Sequence, residues 1–224
     1  MKKDVLEVEG IIYGFGATNL LTDVYLKCEM GEILGILGRN GSGKSSLLKI
    51  IFGTLGAENK MIRINKTILN RPFVKKPTIS YLPQNGFLPK SLSLRKIISR
   101  FISSSIKRER ICEDPFVAKH LDKNISKLSG GESRYFQILL LLNLESSFVL
   151  LDEPFSAIEP LYKEGIKNLI REHRNEKGFI ITDHDYQNVI DLCDDIKLIV
   201  NGACKHIKEI KELELYGYVP EGTF

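Results

Sequence analysis

The residues best placed for chemistry are Gly38-Arg39-Asn40-Gly41-Ser42-Gly43-Lys44-Ser45, which spell G-x-x-x-x-G-K-S. A loop of this form suits a row of phosphates. Their oxygens need several N–H donors at close range, and glycine lets the backbone approach without a Cβ in the way. Lys44 adds a cation for the β- and γ-phosphates, and the Ser45 hydroxyl can ligate Mg²⁺. Asn40, Gly41, Ser42, Gly43 and Ser46 fill out the set that would surround the nucleotide phosphates. An acid pair follows at a distance, where Phe148-Val149-Leu150-Leu151 runs into Asp152-Glu153. Asp152 can hold Mg²⁺ and Glu153 can polarise a water for attack on phosphorus. Alone, two acids after an apolar run mark a turn more often than a site; the phosphate loop reverses that weighting.

Two further patterns admit more than one reading. Ser129-Gly130-Gly131-Glu132 is S-x-x-E, a capping box ahead of the apolar run to Leu144. It is either a well-capped helix or a helix start kept bare for a phosphate, since glycine in the first turn lowers helix stability. His184 alone of the histidines follows a buried-strand pattern, Gly178 to Thr182. It is a chemical group or a satisfied structural histidine.

These groups need elements to aim them. Glu32 to Leu37 reads as a buried strand and Ser45 to Phe52 as a helix ended by Gly53, whose N-terminus would face the phosphates. Val5 to Val8 and Asp23 to Cys28 alternate apolar and polar residues, the pattern of half-buried antiparallel strands. Between them Tyr13 to Asn19 reads as a connection holding two aromatics. Met61 to Ile64, Thr67 to Leu69 and Thr78 to Leu82 read as strands. From Ser91 to about Leu121, Leu94, Ile97, Ile98, Phe101, Ile102 and Ile106 recur at helical spacing and predict a helical insertion. Ile196 to Ile207 reads as a hairpin around Asn201-Gly202 with a type I′ turn, and one short helix is expected in the tail after Lys208.

At 224 residues the chain is expected to form one domain with a substantial core. Its 32 basic and 28 acidic residues leave +4, too little to argue for nucleic acid. The four cysteines lack C-x-x-C spacing, which favours reduced thiols in a cytosolic protein. The N-terminus has no apolar h-region, so it reads as a strand and not a signal peptide. The longest aliphatic run, Ile138 to Leu142, is far below the roughly 18 residues of a membrane span. Any role at a membrane would go through a partner.

In this order the motifs resemble the nucleotide-binding subunit of ATP-binding cassette (ABC) transporters, over about residues 4 to 207. Gly38 to Ser45 matches Walker A, and Gln84 in Tyr81-Leu82-Pro83-Gln84 matches the Q-loop. Leu128-Ser129-Gly130-Gly131-Glu132 matches the family signature, Phe148 to Glu153 matches Walker B, and His184 matches the switch histidine. The resemblance implies an α/β P-loop NTPase core, a mostly parallel sheet with helices, joined by an N-terminal antiparallel β subdomain and an inserted helical subdomain. Residues 1–85 and 146–207 would form the core, 86–145 the helical subdomain and 208–224 the tail. It puts Phe15 at the adenine-stacking position, with Tyr13 second.

The resemblance also implies ATP and Mg²⁺ as ligands, with Ser45, Gln84 and Asp152 around the metal. Glu153, His184, Lys44 and Gln84 would carry the hydrolysis. Two subunits would pack head to tail, so that Ser129, Gly130 and Gly131 reach the γ-phosphate held by the other copy. The motor would drive separate membrane permease subunits, one short helix of which docks near Phe87 to Pro89. The protein would then be cytoplasmic, peripheral on the inner face of the cell membrane, with no nucleic-acid partner expected. A rival reading, a soluble regulatory or nucleic-acid-associated ABC ATPase, usually brings two cassettes or a long coiled coil, and this chain has neither. Two departures from the family pattern stand out: Glu159 replaces the usual Asp after Walker B, and Ser133 to Leu142 replaces a basic, Ala-rich helix.

Overall fold

A computed structural model of the protein describes residues 3–15, 18–69 and 78–224. β1 (Val5–Phe15) and β2 (Thr18–Glu29) form a long antiparallel hairpin. The connection expected between Val8 and Asp23 is therefore mostly strand, and Tyr13 and Asn19 lie within it. The period-2 pattern breaks there because the pairing is irregular between Val8 and Tyr13, where Gly10 takes φ 64°. β3 (Ile33–Gly38) follows, buried along its whole length, then the phosphate loop and α1 (Lys44–Phe52). Gly53 closes α1 at φ 93° with its N–H on the Lys49 and Ile50 carbonyls, a left-handed cap that glycine adopts most easily.

β4 (Asn59–Ile64) and β5 (Thr67–Ile68) complete a four-stranded antiparallel sheet in the order β2-β1-β4-β5. β6 (Ile79–Leu82) leads to the helical stretch, which is α2 (Leu94–Phe101), α3 (Ser105–Glu113), α4 (Pro115–His120) and α5 (Gly130–Leu142). Asp114 separates α3 from α4 by capping α4 through its carboxylate, with Pro115 in the first turn. Then come β7 (Phe148–Asp152), α6 (Pro160–His173), β8 (Gly178–Thr182), α7 (Tyr186–Leu192), β9 (Asp195–Val200), β10 (Ala203–Ile207) and α8 (Glu212–Leu215).

The second sheet has the order β10-β9-β3-β8-β7-β6, parallel except for β10. Asn201 and Gly202 turn β9 into β10 with φ of 49° and 78°, as a type I′ turn requires. Apolar clusters cover both faces of this sheet. One holds the α2–α6 side with Val149, Leu151, Phe179 and Ile181. The other joins α1, the antiparallel sheet and Leu34, Ile36, Leu150 and Ile180. A sheet dry on both faces leaves ligands only its strand ends, and in open α/β sheets the carboxyl ends serve.

Candidate active site

Parallel register decides which side chains meet. Asp152 pairs with Thr182, Ile36 with Thr182, and Leu82 with Leu151, so β3, β6, β7 and β8 finish nearly level. One or two residues beyond these ends lie the phosphate loop, Gln84, Glu153 and His184. They line a cleft of about 490 Å³ with Asn40, Gly41, Ser42, Gly43, Lys44, Ser45, Ser46, Leu20 and Ser156. Gly38 lies at the root of the loop, where a Cβ would come within 2.5 Å of Ser42 Oγ. Gly41 and Gly43 take φ of 79° and 99°, which turns successive N–H groups toward the cleft.

The cleft separates charge deliberately. Lys44 is buried and donates from Nζ to the carbonyls of Gly38 (2.7 Å) and Arg39 (3.3 Å). Burial lowers its pKa, while Glu153, Asp152 and Asp183 pull the other way. Asp152 is fully buried. Its Oδ1 accepts from Ser45 Oγ and Thr182 Oγ1, both at 2.9 Å, and its Oδ2 accepts from Tyr81 OH at 3.0 Å. Burial beside Asp152 pushes the Tyr81 phenol up, so it stays a donor. Glu153 sits at φ 48°, a left-handed conformation that costs about 1–2 kcal/mol outside glycine. The strained turn presents its carboxylate to Gln84 Nε2 at 2.7 Å, with His184 Nδ1 at 3.9 Å. Asp183, fully buried, accepts from the N–H groups of Asp185 (2.9 Å) and Phe155 (3.4 Å) and so shapes both loops. Burial raises its pKa.

The residues suit the ligands that the motifs suggest. Ser42 Oγ is buried without a hydrogen-bond partner among the described residues, a donor left over inside the loop. Asp152 has hydroxyl donors but no ion pair among the described residues, so its buried charge accommodates a cation beside Ser45. Among the described residues no three His, Cys, Asp or Glu side chains converge as a cage. Mg²⁺ ordinarily takes one or two carboxylates together with substrate phosphates and waters.

The remaining expected residues are placed differently. Ser129 caps α5: its Oγ accepts from Glu132 N at 3.2 Å and its own N–H donates to Glu132 Oε2 at 2.7 Å. Ser129, Gly130 and Gly131 do not line the cleft of their own chain. Gly130 is exposed, with nothing within 4 Å of a notional Cβ. Gly131 has an internal reason to be glycine, because a Cβ there would lie 2.7 Å from the Tyr162 ring. The backbone of Phe15 ends β1, and its side chain lies outside the described residues. Glu159 precedes α6 without a side-chain cap. Tyr81, Thr182 and Asp183 were not expected at the site; their roles come from register between distant strands, which leaves no local spacing to read.

A family profile described as ABC transporter matches residues 21–156. The chain belongs to the ABC transporter family. It is an ATP-binding ATPase of that family. It is 29% identical to the lipopolysaccharide export system ATP-binding protein LptB of Haemophilus influenzae, over 88% of each chain. It is 31% identical to a probable ABC transporter ATP-binding protein of Azorhizobium caulinodans, over 87% of this chain and 73% of that one. Identity is 27% to a probable sulfate/thiosulfate import ATP-binding protein CysA of Chlorella vulgaris, over 97% and 95%. Among solved structures, the ATP binding subunit of an ABC transporter superposes with TM-score 0.83 at 24% identity, covering 96% of this chain and 94% of that one. A nucleotide-free ATP-binding cassette gives 0.81 at 21% identity over 97% and 96%. These two likenesses establish the ABC ATPase fold for this chain. No helix among the described residues is long and apolar enough to cross a membrane.

Proposed function

We propose that this ABC ATPase is the motor subunit of a transporter, binding ATP between two head-to-tail copies and driving separate membrane permease subunits. The observation that carries the reading is the division of the motifs: the cleft holds the phosphate loop, Gln84, Glu153 and His184, while Ser129 and Gly130 stand exposed outside it. A second copy would bring its Ser129, Gly130 and Gly131 over the open cleft. The relatives named for export and import of different cargoes support the transport role but not one cargo.

In this reading the loop N–H groups and Lys44 hold the phosphates, and Phe15 stacks on adenine. Ser45, Asp152 and Gln84 would hold Mg²⁺, which when bound neutralises charge on the β- and γ-phosphates. Glu153 orients a water and takes its proton, and Gln84 and His184 fix that carboxylate and face the γ-phosphate. Binding joins the copies and hydrolysis parts them, so the cycle can move a permease. The protein would then sit at the inner face of the cell membrane through that permease.

Glu153→Gln tests the reading. Hydrolysis is expected to fall by at least about 100-fold, with ATP still bound and an ATP-dependent dimer seen by light scattering. Turnover at the wild-type rate would remove Glu153 from the role. Affinity capture from detergent-solubilised membranes tests the partner: a stoichiometric multi-span protein is expected, and purely soluble partners would overturn the transport role.

A further inference from the structure

Arg134 and Gln137 lie three residues apart on one face of α5, just past the exposed helix start, and both are buried. Arg134 Nη1 donates to the Pro83 carbonyl at 3.0 Å, and its Nη2 donates to the Gln84 carbonyl. Gln137 Oε1 accepts from Phe87 N–H at 3.0 Å, and its Nε2 donates to Ser133 O and Oγ. The loop between is folded tightly onto them. Gly86 turns it at φ 74°, and a Cβ there would lie 2.7 Å from Gln137 Oε1. Four backbone positions, 83 to 87 less Asn85, are thus held or crowded by two side chains.

Packing alone does not account for this. Arg134 is buried as a whole residue, at 9% exposure, and no ion pair to it exists among the described residues. Burying a cation without an ionic partner costs free energy that apolar packing does not return. The nearest compensation comes at longer range from Asp152, Glu153 and Asp183, the carboxylates of the cleft. The backbone that Arg134 grips also carries the Gln84 side chain, which donates to Glu153 Oε2 at 2.7 Å.

We propose that Arg134 and Gln137 are positioning residues that clamp the Gln84 loop to the signature helix and so hold the Gln84 side chain against Glu153. This rests on the reading of Glu153 as the group that orients water. It adds residues that the motif matches do not name, and it gives the unusual helix after the signature a function.

The test is a double-mutant cycle on ATP turnover by the intact protein. Arg134→Met is expected to lower kcat about tenfold with KM for ATP changed less than about twofold, as misplacement of a catalytic contact does. In a Gln84→Ala background the same substitution should lower kcat less than about twofold, because the contact it positions is gone. Arg134→Lys, which keeps one donor contact, should recover part of the rate. An equal loss in both backgrounds, or no loss in either, would overturn the clamp. Should Arg134→Met fail to fold, Gln137→Met runs through the same cycle. Hydrogen exchange gives a readout independent of turnover: the Phe87 amide should exchange at least about tenfold faster in Gln137→Met. Unchanged exchange would also sink the proposal. Failure of the Glu153 reading is distinguishable, since it appears as wild-type turnover in Glu153→Gln whatever the cycle shows.

Discussion

Around Lys44 the side chains are tied to one another, whereas around Ser129 and Gly130 they stand open. Ser45, Thr182 and Tyr81 donate to Asp152, Gln84 donates to Glu153, and Lys44 donates to the Gly38 carbonyl, all at 2.7 to 3.0 Å within one chain. At the start of α5 the capping box holds Ser129 to Glu132, Glu132 Oε1 lies 3.6 Å from His120 Nε2, and a Cβ added at Gly130 would meet nothing within 4 Å. Preorganised groups cost no reorganisation when charge arrives, which suits the surface that must hold phosphates. A helix start whose first residues, Ser129 and Gly130, lie exposed suits a surface approached from outside. The same fold therefore supplies a finished half and a waiting half.

The largest expected break in this contrast is at Lys44. Lys44→Ala removes the buried cation that faces three carboxylates, and affinity for ATP should fall by at least about 100-fold in a calorimetric titration. An unchanged Kd would mean that the loop amides alone carry binding.

The glycine pair sharpens the other side. Gly131→Ala forces a methyl against the Tyr162 ring and should destabilise the fold by about 1–3 kcal/mol in urea unfolding. Gly130→Ala meets open space, and should leave stability equal or raise it by up to about 1 kcal/mol. Yet on the proposed head-to-tail pairing Gly130→Ala should slow hydrolysis, because the added methyl would stand in the path of the second copy. If its turnover equals wild type, nothing approaches that helix start closely.

The far end of α5 is anchored, unlike its start. Lys177 is buried at 4% exposure and donates to the carbonyls of Leu144 (2.8 Å) and Ser146 (2.6 Å). Burial, with Lys107 nearby, lowers its pKa to about 8 from 10.5. Between those values the unfolded chain binds the extra proton, so this group's contribution to stability rises with pH across that window and is a cost below it. Relative to Lys177→Met, the wild type should gain on the order of 1 kcal/mol in unfolding free energy from about pH 8 to about pH 10. A difference flat with pH would show the amine to be solvated.

Sequence carried the phosphate loop, the acid pair and the capping box because each is local: spacing along the chain is spacing in the element. The buried strand Glu32 to Leu37 and the Asn201-Gly202 turn were legible for the same reason. The β1–β2 hairpin was underestimated because irregular pairing near Gly10 breaks the alternation that marks a strand. Tyr81 and Thr182 meet Asp152 across parallel register, and Gly131 meets Tyr162 across a helix pair. No periodicity within a segment records such meetings. The two glycines of the signature looked alike in sequence; only packing separates the one kept small by the chain itself from the one left open.

The smallest effect concerns how far the finished half extends. The tail returns to the cleft from behind: Tyr218 OH donates to the His184 carbonyl at 3.2 Å, and Arg39 Nη2 donates to the Gly217 carbonyl at 2.6 Å. Leu213 and Val219 anchor it in a cluster with Leu37, Val189 and Leu198. Burial pushes the Tyr218 phenol up to about 12, so it remains a donor throughout the working range. Tyr218→Phe keeps the ring and removes only that bond. Turnover should fall about twofold through looser placement of His184, with KM for ATP unchanged and the urea midpoint lowered by no more than loss of one hydrogen bond, about 0.5–1.5 kcal/mol, allows. A fall in the midpoint with kcat unchanged would make the tail a packing element without influence on His184.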